Sequence, residues 1–263
     1  MKRRALCILL VAWVSLAGAG VAAAQPRSGI VRPTTEPSHP SVELGSELYA
    51  GNCASCHGIA GSGIRHARPG AGNILGLGPP LRGVGAIAPD FYLRTGYMPL
   101  GNPHEQPEGN TVQFTNKEIK SLVAYVASIG RGPAIPSPDP GKGDISEGQE
   151  LFTENCAGCH QLEARGGFVT GARVPPLQNV KAVRIAEAVR IGPYLMPKFS
   201  KSQLSDRQLN SIIRYVVSTN HPDNQGGWSI GNLGPIPEGL VAWWIAIPLL
   251  LLFCLAVSRR MRK

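Results

Sequence analysis

Cys53-Ala54-Ser55-Cys56-His57 and Cys156-Ala157-Gly158-Cys159-His160 decide how this chain is read. Each is a C-x-x-C-H pentad, the spacing that attaches a c-type haem. Two thiols three positions apart add to the two vinyl groups of one porphyrin. The histidine that follows lies under the iron and supplies its proximal nitrogen. The competing reading is structural zinc. Zinc ribbons set two C-x-x-C knuckles roughly 15–20 residues apart, and these pentads are separated by far more chain than that. The pentads therefore read as attachment sites for two covalently bound haem c groups.

Outward from the pentads, the flanking sequence repeats. Leu44-Gly45-Ser46-Glu47-Leu48-Tyr49-Ala50-Gly51-Asn52 before the first matches Glu147-Gly148-Gln149-Glu150-Leu151-Phe152-Thr153-Glu154-Asn155 before the second. Pro79-Pro80-Leu81 matches Pro175-Pro176-Leu177, and Tyr97-Met98-Pro99 matches Leu195-Met196-Pro197. Ile119, Leu122, Tyr125 and Val126 match Leu209, Ile212, Tyr215 and Val216. A repeat of this length means two copies of one fold. The spacing predicts a helix over Val42–Asn52 that delivers Cys53, and another over Phe114–Ile129 that closes the first copy. Thr115 with Glu118 three residues on forms a capping box for the latter. Tyr49 and Phe152 are expected to pack against Tyr125 and Tyr215, as core rather than chemistry. The leucines of the Pro-Pro-Leu triplets are expected at the haem edges.

The chain then divides as follows. Residues 1–24 carry Lys2-Arg3-Arg4, an apolar run and a small-residue Ala22-Ala23-Ala24 site. This is the pattern of a signal peptide, with an uncleaved N-terminal anchor as the alternative. Residues 25–41, rich in Pro, Ser and Thr, read as a flexible lead-in. The first domain covers 42–130, a Pro-rich linker 131–144 and the second domain 145–221. A Gly/Pro/Asn-rich stalk follows over 222–239. Residues 240–257 carry no charge and are about long enough to cross a hydrocarbon layer of roughly 30 Å. Trp243 and Trp244 stand at the start of that run, Pro248 inside it, and a basic tail over 258–263 behind it.

The iron's second axial position follows by elimination. The chain has four methionines; Met1 starts it and Met261 lies in the tail. Met98 and Met196 remain, one per domain, each before a proline and between its pentad and its last helix. His57 with Met98 and His160 with Met196 are thus the expected axial pairs. A bis-histidine site using His39, His66, His104 or His221 is the alternative. Histidine with methionine raises the reduction potential and closes the iron to substrate, which suits electron transfer.

Cysteines and charge exclude other classes. Of six cysteines, four lie in the pentads; Cys7 and Cys254 lie in apolar runs, so no disulfide framework remains. The net charge of +9 invites a nucleic-acid reading, but Lys2, Arg3, Arg4, Arg259, Arg260, Arg262 and Lys263 account for seven cations and leave +2. The excess belongs to membrane topology, with the tail cytoplasmic and the domains outside, and implies no nucleic-acid partner.

The paired pentads, the two M-P motifs and Gly234-Pro235-Ile236-Pro237-Glu238-Gly239-Leu240-Val241-Ala242-Trp243 before a C-terminal anchor resemble the dihaem cytochrome c subunit of a bacterial cytochrome bc complex. The resemblance runs from about Leu44 to the C-terminus. It implies a mainly α fold of two tandem class I cytochrome c domains plus a C-terminal transmembrane helix. It also implies an electron-transfer subunit of a quinol–cytochrome c reductase, with cytochrome b and a Rieske iron–sulfur protein as partners and a terminal cytochrome c oxidase as acceptor. No substrate chemistry is expected at this subunit. Competing readings are a dihaem subunit of a cbb-type haem–copper oxidase, whose anchor is N-terminal, an anchored carrier without a stable complex, and a haem enzyme such as a dihaem peroxidase, which needs an open iron.

Overall fold

The computed structural model describes residues 29–65, 78–100, 106, 109, 111–220 and 235–262. The signal segment, residues 222–234 of the stalk with Trp228, and His66, His104 and His221 lie outside them, while residues 235–239 of the expected stalk are helical. The chain divides into two compact units between Ile135 and Pro136.

In the first unit, α1 spans Val42–Asn52, as its sequence predicts. Ser41 caps it, its hydroxyl accepting the Leu44 N–H at 3.1 Å. This satisfies one of the donors a helix start leaves over. The one-turn α2, Ala54–His57, follows across Cys53, and a 3₁₀ turn covers Ile59–Gly61. A helix the sequence reading does not contain, α3, spans Ile87–Arg94. The closing helix α4 runs Asn116–Ser128, with Thr115 and Glu118 forming the expected capping box. Leu44, Leu48, Ile119, Leu122 and Val126 are buried together where α1 meets α4. Each such side chain contributes roughly 1.5–3 kcal/mol on leaving water.

The second unit repeats this order. α5 spans Ile145–Asn155, capped by Asp144, and α6 spans Ala157–His160. A hairpin of β1 (Gly167–Val169) and β2 (Ala172–Val174) pairs Phe168 with Arg173. Then come α7, Ala182–Ile191, and α8, Asp206–Ser218, the latter opened by a Ser205/Gln208 capping box. Phe152, Ile185, Val189, Leu209, Ile212, Ile213 and Val216 form its core. The two expected aromatic pairs are present. Tyr49 and Tyr125 have ring centroids 5.1 Å apart, and Phe152 and Tyr215 lie 5.3 Å apart.

Both units solve the helix crossing identically. A Cβ placed on Gly45 would sit 2.0 Å from the Ser121 carbonyl oxygen, and one on Gly148 would sit 2.0 Å from that of Ser211. The opposing serines also cap: Ser121 Oγ accepts the Ser41 N–H at 3.1 Å, and Ser211 Oγ accepts the Asp144 N–H at 2.9 Å. Glycine here serves close approach, since its own backbone is ordinary helix.

The lead-in differs from its flexible reading. Asn52 clamps Val31 from both sides, accepting its N–H at 2.8 Å and donating to its carbonyl at 2.8 Å. Arg32 Nε lies 2.6 Å from the buried carboxylate of Glu118, and Lys117 pairs with Glu36 at 2.7 Å. Composition does not reveal this, because the anchor is a distant buried charge that needs a cation. The interdomain linker is likewise pinned at each end to its own unit. Pro133 O accepts from Ala86 N at 3.0 Å, and Gly143 O accepts from Arg214 at 2.6 Å.

α9, Pro235–Met261, is 27 residues long, which at the α-helical rise makes about 40 Å. Its leucines, isoleucines and tryptophans are exposed on every side. A helix apolar all round needs a nonpolar surrounding, and among the described residues this is the one helix long and apolar enough to cross a membrane.

Candidate functional site

Each pentad starts where a long helix ends. Cys53 and Cys156 leave helical geometry at φ −120° and −126°, yet their N–H groups still bond to Tyr49 O and Phe152 O at 2.8 Å. The short helices α2 and α6 then turn the second cysteine and the histidine. Cys56 N and Cys159 N each bond back to the first cysteine's carbonyl at 3.1 Å, and the histidine N–H groups do so at 2.9 Å. The C-x-x-C-H spacing thus becomes a single wound turn that groups two thiols and an imidazole.

What orients the imidazoles comes from elsewhere in the chain. His57 Nδ1 lies 2.8 Å from Pro79 O, and His160 Nδ1 lies 3.2 Å from Pro175 O. A carbonyl can only accept, so Nδ1 carries the proton and Nε2 keeps the lone pair. This is the outer bond that fixes a metal-binding histidine's tautomer and raises its basicity. In the first unit Gly78 passes close behind the ring: a Cβ there would lie 2.9 Å from His57 Nδ1 and 2.6 Å from Cys56 O. His160 is buried, and burial holds its pKa down against the opposing pull of the Pro175 carbonyl.

The methionines arrive on the same cores. Cys53, Ala54, Leu81, Val84 and Met98 all pack half-buried against the Leu48–Leu122 cluster. Cys156, Ala157, Leu177, Val180 and Met196 pack against the Phe152–Ile212 cluster. Each unit so brings its first pentad cysteine, its Pro-Pro-Leu leucine and its methionine to one apolar wall. Burial, and then the neighbouring Cys56 thiol, push Cys53 up to about 12. Burial and then Cys159 push Cys156 up to about 11. Both thiols are thus held protonated, and a thioether at either position has nothing left to titrate. Among the described residues no group of three His, Cys, Asp or Glu could hold a metal by itself. The donor set of thiols, a tautomer-locked imidazole and a thioether fits haem c.

The spare histidine that is described, His39, is exposed and its Nδ1 lies 2.9 Å from Ser38 Oγ. Beyond the cysteines, histidines and methionines, the supporting groups are Pro79, Pro175, Tyr49 and Tyr215. Tyr49 OH donates to Gly58 O at 2.7 Å, and Tyr215 OH donates to Leu162 O at 2.8 Å, tying the chain just past each histidine. The signal for the proline carbonyls was already in the repeat, where the triplet's first proline is common to both copies. The hydroxyls carry no such signal, because they come from non-equivalent positions of the aromatic pair. The surroundings of the methionines differ. Phe91, Tyr92 and Tyr97 form a ring cluster before Met98, with Phe91 and Tyr92 centroids 5.3 Å apart, and burial raises both phenols. The matching stretch before Met196 exposes Tyr194 and Leu195.

Comparison with known proteins agrees with this arrangement. The cytochrome c family matches residues 42–130, and the family described as cytochrome c oxidase, cbb3-type, subunit III matches 143–216. The cytochrome bc1 complex cytochrome c subunit of Corynebacterium diphtheriae is 30% identical over 266 residues, covering 94% of this chain and 91% of that one. Its namesake in Mycobacterium tuberculosis is 32% identical over 252 residues, covering 91% and 85%. A cbb3-type cytochrome c oxidase subunit of Azospirillum is 25% identical over 201 residues, covering 65% and 60%. Cytochrome c domains imply haem c, and the two matched segments coincide with the two mainly helical units that precede the apolar C-terminal helix. With identity of this order over nearly the whole length, the chain belongs to the cytochrome c subunits of the cytochrome bc1 complex.

Proposed function

We propose that this chain carries two haem c groups and relays electrons from the Rieske iron–sulfur protein of its bc complex to a terminal cytochrome c oxidase. When bound, haem supplies a one-electron Fe(II)/Fe(III) couple. The chain's own residues do the rest. Cys53 and Cys56, and Cys156 and Cys159, anchor the porphyrins. His57 and His160, with Nδ1 engaged, would offer Nε2 to the haem irons, and Met98 and Met196 would offer their thioethers. With each iron held on both sides by the chain's own histidine and methionine, the work is outer-sphere electron transfer. The observation that carries this is the duplication: the same histidine–carbonyl bond and the same methionine on the same wall occur in both units.

α9 anchors the assembly, with Arg259 and Arg260 on the cytoplasmic side and the domains outside. A tether raises effective concentration at a partner, so no diffusing carrier is needed. Cytochrome b and the Rieske protein are the partners on the quinol side, and the whole complex acts as a quinol–cytochrome c reductase.

Affinity purification of the native membrane complex through this chain, with mass spectrometry and haem quantitation, tests the reading. Two covalent haems per chain, co-purifying with b-type haem and a Rieske centre, are expected. One covalent haem per chain, or a high-spin spectrum in the parent protein, would refute it. Met98→Ala and Met196→Ala should each turn one haem high-spin with both thioether attachments kept. A second reading, a subunit of a cbb3-type oxidase, is favoured by the family match over 143–216 alone. Co-purification with a haem–copper oxidase and without a Rieske centre would select it.

A further inference from the structure

Met196 sits on irregular chain. It belongs to the connection between α7 and α8, residues 192–205, which holds no helix or strand. Such a segment opens locally unless hydrogen bonds close its ends. The closure comes from Arg190, in the last turn of α7. Its Nη1 donates to Phe199 O at 3.2 Å, Ser200 O at 3.1 Å and Leu204 O at 2.8 Å, and its Nη2 donates to Asp206 Oδ1 at 2.9 Å. One guanidinium thus ties the helix before Met196 to three carbonyls after it and to the first residue of α8. The arginine side chain is only 10% exposed. Two backbone features close the same seam. Phe199 N–H donates to Val189 O at 2.9 Å. Gly192 turns at φ 68°, and a Cβ there would lie 2.7 Å from Lys198 N. Met196 lies inside the closed segment, its N–H bonded to Pro193 O at 3.0 Å.

The charges around Arg190 are paired as well. Asp206 also takes Lys201 at 2.7 Å, and Arg184 engages Glu187, one turn before Arg190 on the same helix. Carbonyls outside regular structure still need donors. A charged donor bonds them more strongly than a neutral one, and a planar fork reaches several acceptors where an ammonium acts from one point. The first domain secures its methionine differently. Arg94 turns back onto Asp90 of its own helix at 2.7 Å. Met98 N–H bonds to Tyr92 O at 3.1 Å, and Thr95 Oγ1 donates to Phe91 O at 2.7 Å.

We infer that Arg190 is the positioning residue for Met196: by latching the segment that carries the thioether, it keeps this ligand on the second iron. The inference rests on the axial pairing proposed above and adds what enforces it. A latched methionine raises the reduction potential of its haem. It also shuts the sixth position, because an outside ligand binds only the fraction of molecules whose loop is open. When imidazole enters, its nitrogen replaces the Met196 sulfur on ferric iron, and no electron moves.

The test uses the full chain in its native complex, oxidised and titrated with imidazole. The readout is the weak far-red absorption of ferric iron bonded to methionine sulfur, with the haem potentials measured alongside. The haem held by Met98 serves as internal reference. In Arg190→Leu, about half of the band should titrate at imidazole concentrations about ten-fold or more below those the parent needs. One haem potential should fall, and all thioether attachments should remain. Arg190→Lys, which keeps the charge but loses the fork, should lie between, about three-fold from the parent. If Arg190→Leu does not assemble, Arg190→Lys decides alone: a shift of about three-fold at one haem supports the latch, and the parent's affinity overturns it. Imidazole affinities within about two-fold of the parent in Arg190→Leu would overturn the latch and leave the relay standing. An equal change at both haems would mean general loosening and overturn it too. A parent protein with the far-red band of only one haem would instead sink the axial pairing itself.

Discussion

The two cytochrome c domains share a skeleton and differ in what surrounds it. Gly45 against Ser121 and Gly148 against Ser211 are superimposable solutions, with the same 2.0 Å approach of a notional Cβ to a carbonyl. Around them the chemistry diverges. At the third residue of the closing helix the first domain buries a carboxylate, Glu118, and needs Arg32 from a strap to balance it. The second has Gln208 there, which completes its capping box as a neutral amide. Just past the histidine, the first domain uses Gly58 at φ 75° and the second places Gln161 at φ 62°. Duplication thus kept backbone geometry and let side-chain support drift, because the helix crossing leaves no room to vary while a loop can be tied by any nearby donor.

Breaking the shared part should have the largest effect. Gly45→Val and Gly148→Val each drive a branched side chain into a helix backbone that cannot yield, so each should cost about 3 kcal/mol or more. Equilibrium unfolding followed by haem absorbance should show similar losses for the two; a loss confined to one domain would mean the crossings are not equivalent.

Next is the strap. Arg32→Ala leaves Glu118 buried with only the capping contacts and should cost the first domain about 1–3 kcal/mol. The pH dependence has a definite sign. Burial pushes Glu118 up, but hydrogen bonds from Arg32 and Thr115 outweigh it and hold the carboxyl below the ordinary range. A depressed folded value means the stabilisation is fully present above the unfolded glutamate value and is lost as pH falls through the folded one. Acid unfolding of the first domain should therefore show a limb below the ordinary glutamate range that Arg32→Ala weakens. In the second domain the comparable acid-sensitive group is Glu147, held low chiefly by the Ser211 hydroxyl and then by Arg207. An Arg32→Ala variant that leaves the acid limb unchanged would refute the ion-pair account.

The hydroxyl ties sharpen the contrast at smaller scale. Tyr49→Phe strands the buried Gly58 carbonyl and should cost about 1–2 kcal/mol, whereas Tyr215→Phe, whose bond lies at the surface, should cost under about 1 kcal/mol. Burial also pushes the Tyr49 phenol up to about 12, so this bond persists through the alkaline range where an exposed tyrosine ionises. Equal costs for the two substitutions, measured by thermal unfolding, would show that burial does not separate them. The smallest effect expected is a gain. Gln161 holds φ 62° and ψ 160°, a region that suits glycine. Gln161→Gly should stabilise the second domain by up to about 1 kcal/mol, unless the side chain's approach to Gly167 compensates. A loss of stability would show that this contact outweighs the strain.

Much of this was legible along the chain. The helix over Val42–Asn52, the Thr115/Glu118 box and both aromatic pairs follow from spacing and capping rules that act within a few residues or repeat between copies. α3 and α7 stand outside what the spacing above predicts. α3 is short and carries Pro89 in its first turn, which masks its periodicity; α7, with Ile185, Ala186 and Val189, had a usable pattern. The hairpin escaped because three-residue strands offer too little alternation to register. The strap escaped because its composition describes an unfolded segment, while its anchor, Glu118, lies eighty-six residues away from Arg32.

The amino-acid order alone determined where the two cysteine–histidine pentads fall, that the fold occurs twice, and which segment is long and apolar enough to cross a membrane. Those properties depend on covalent spacing and on unbroken runs of one chemistry, and both are local. Tertiary structure decided which carbonyl locks each imidazole and which cation answers the buried Glu118. Those depend on atoms distant in the chain meeting across a packed core, which no local pattern records.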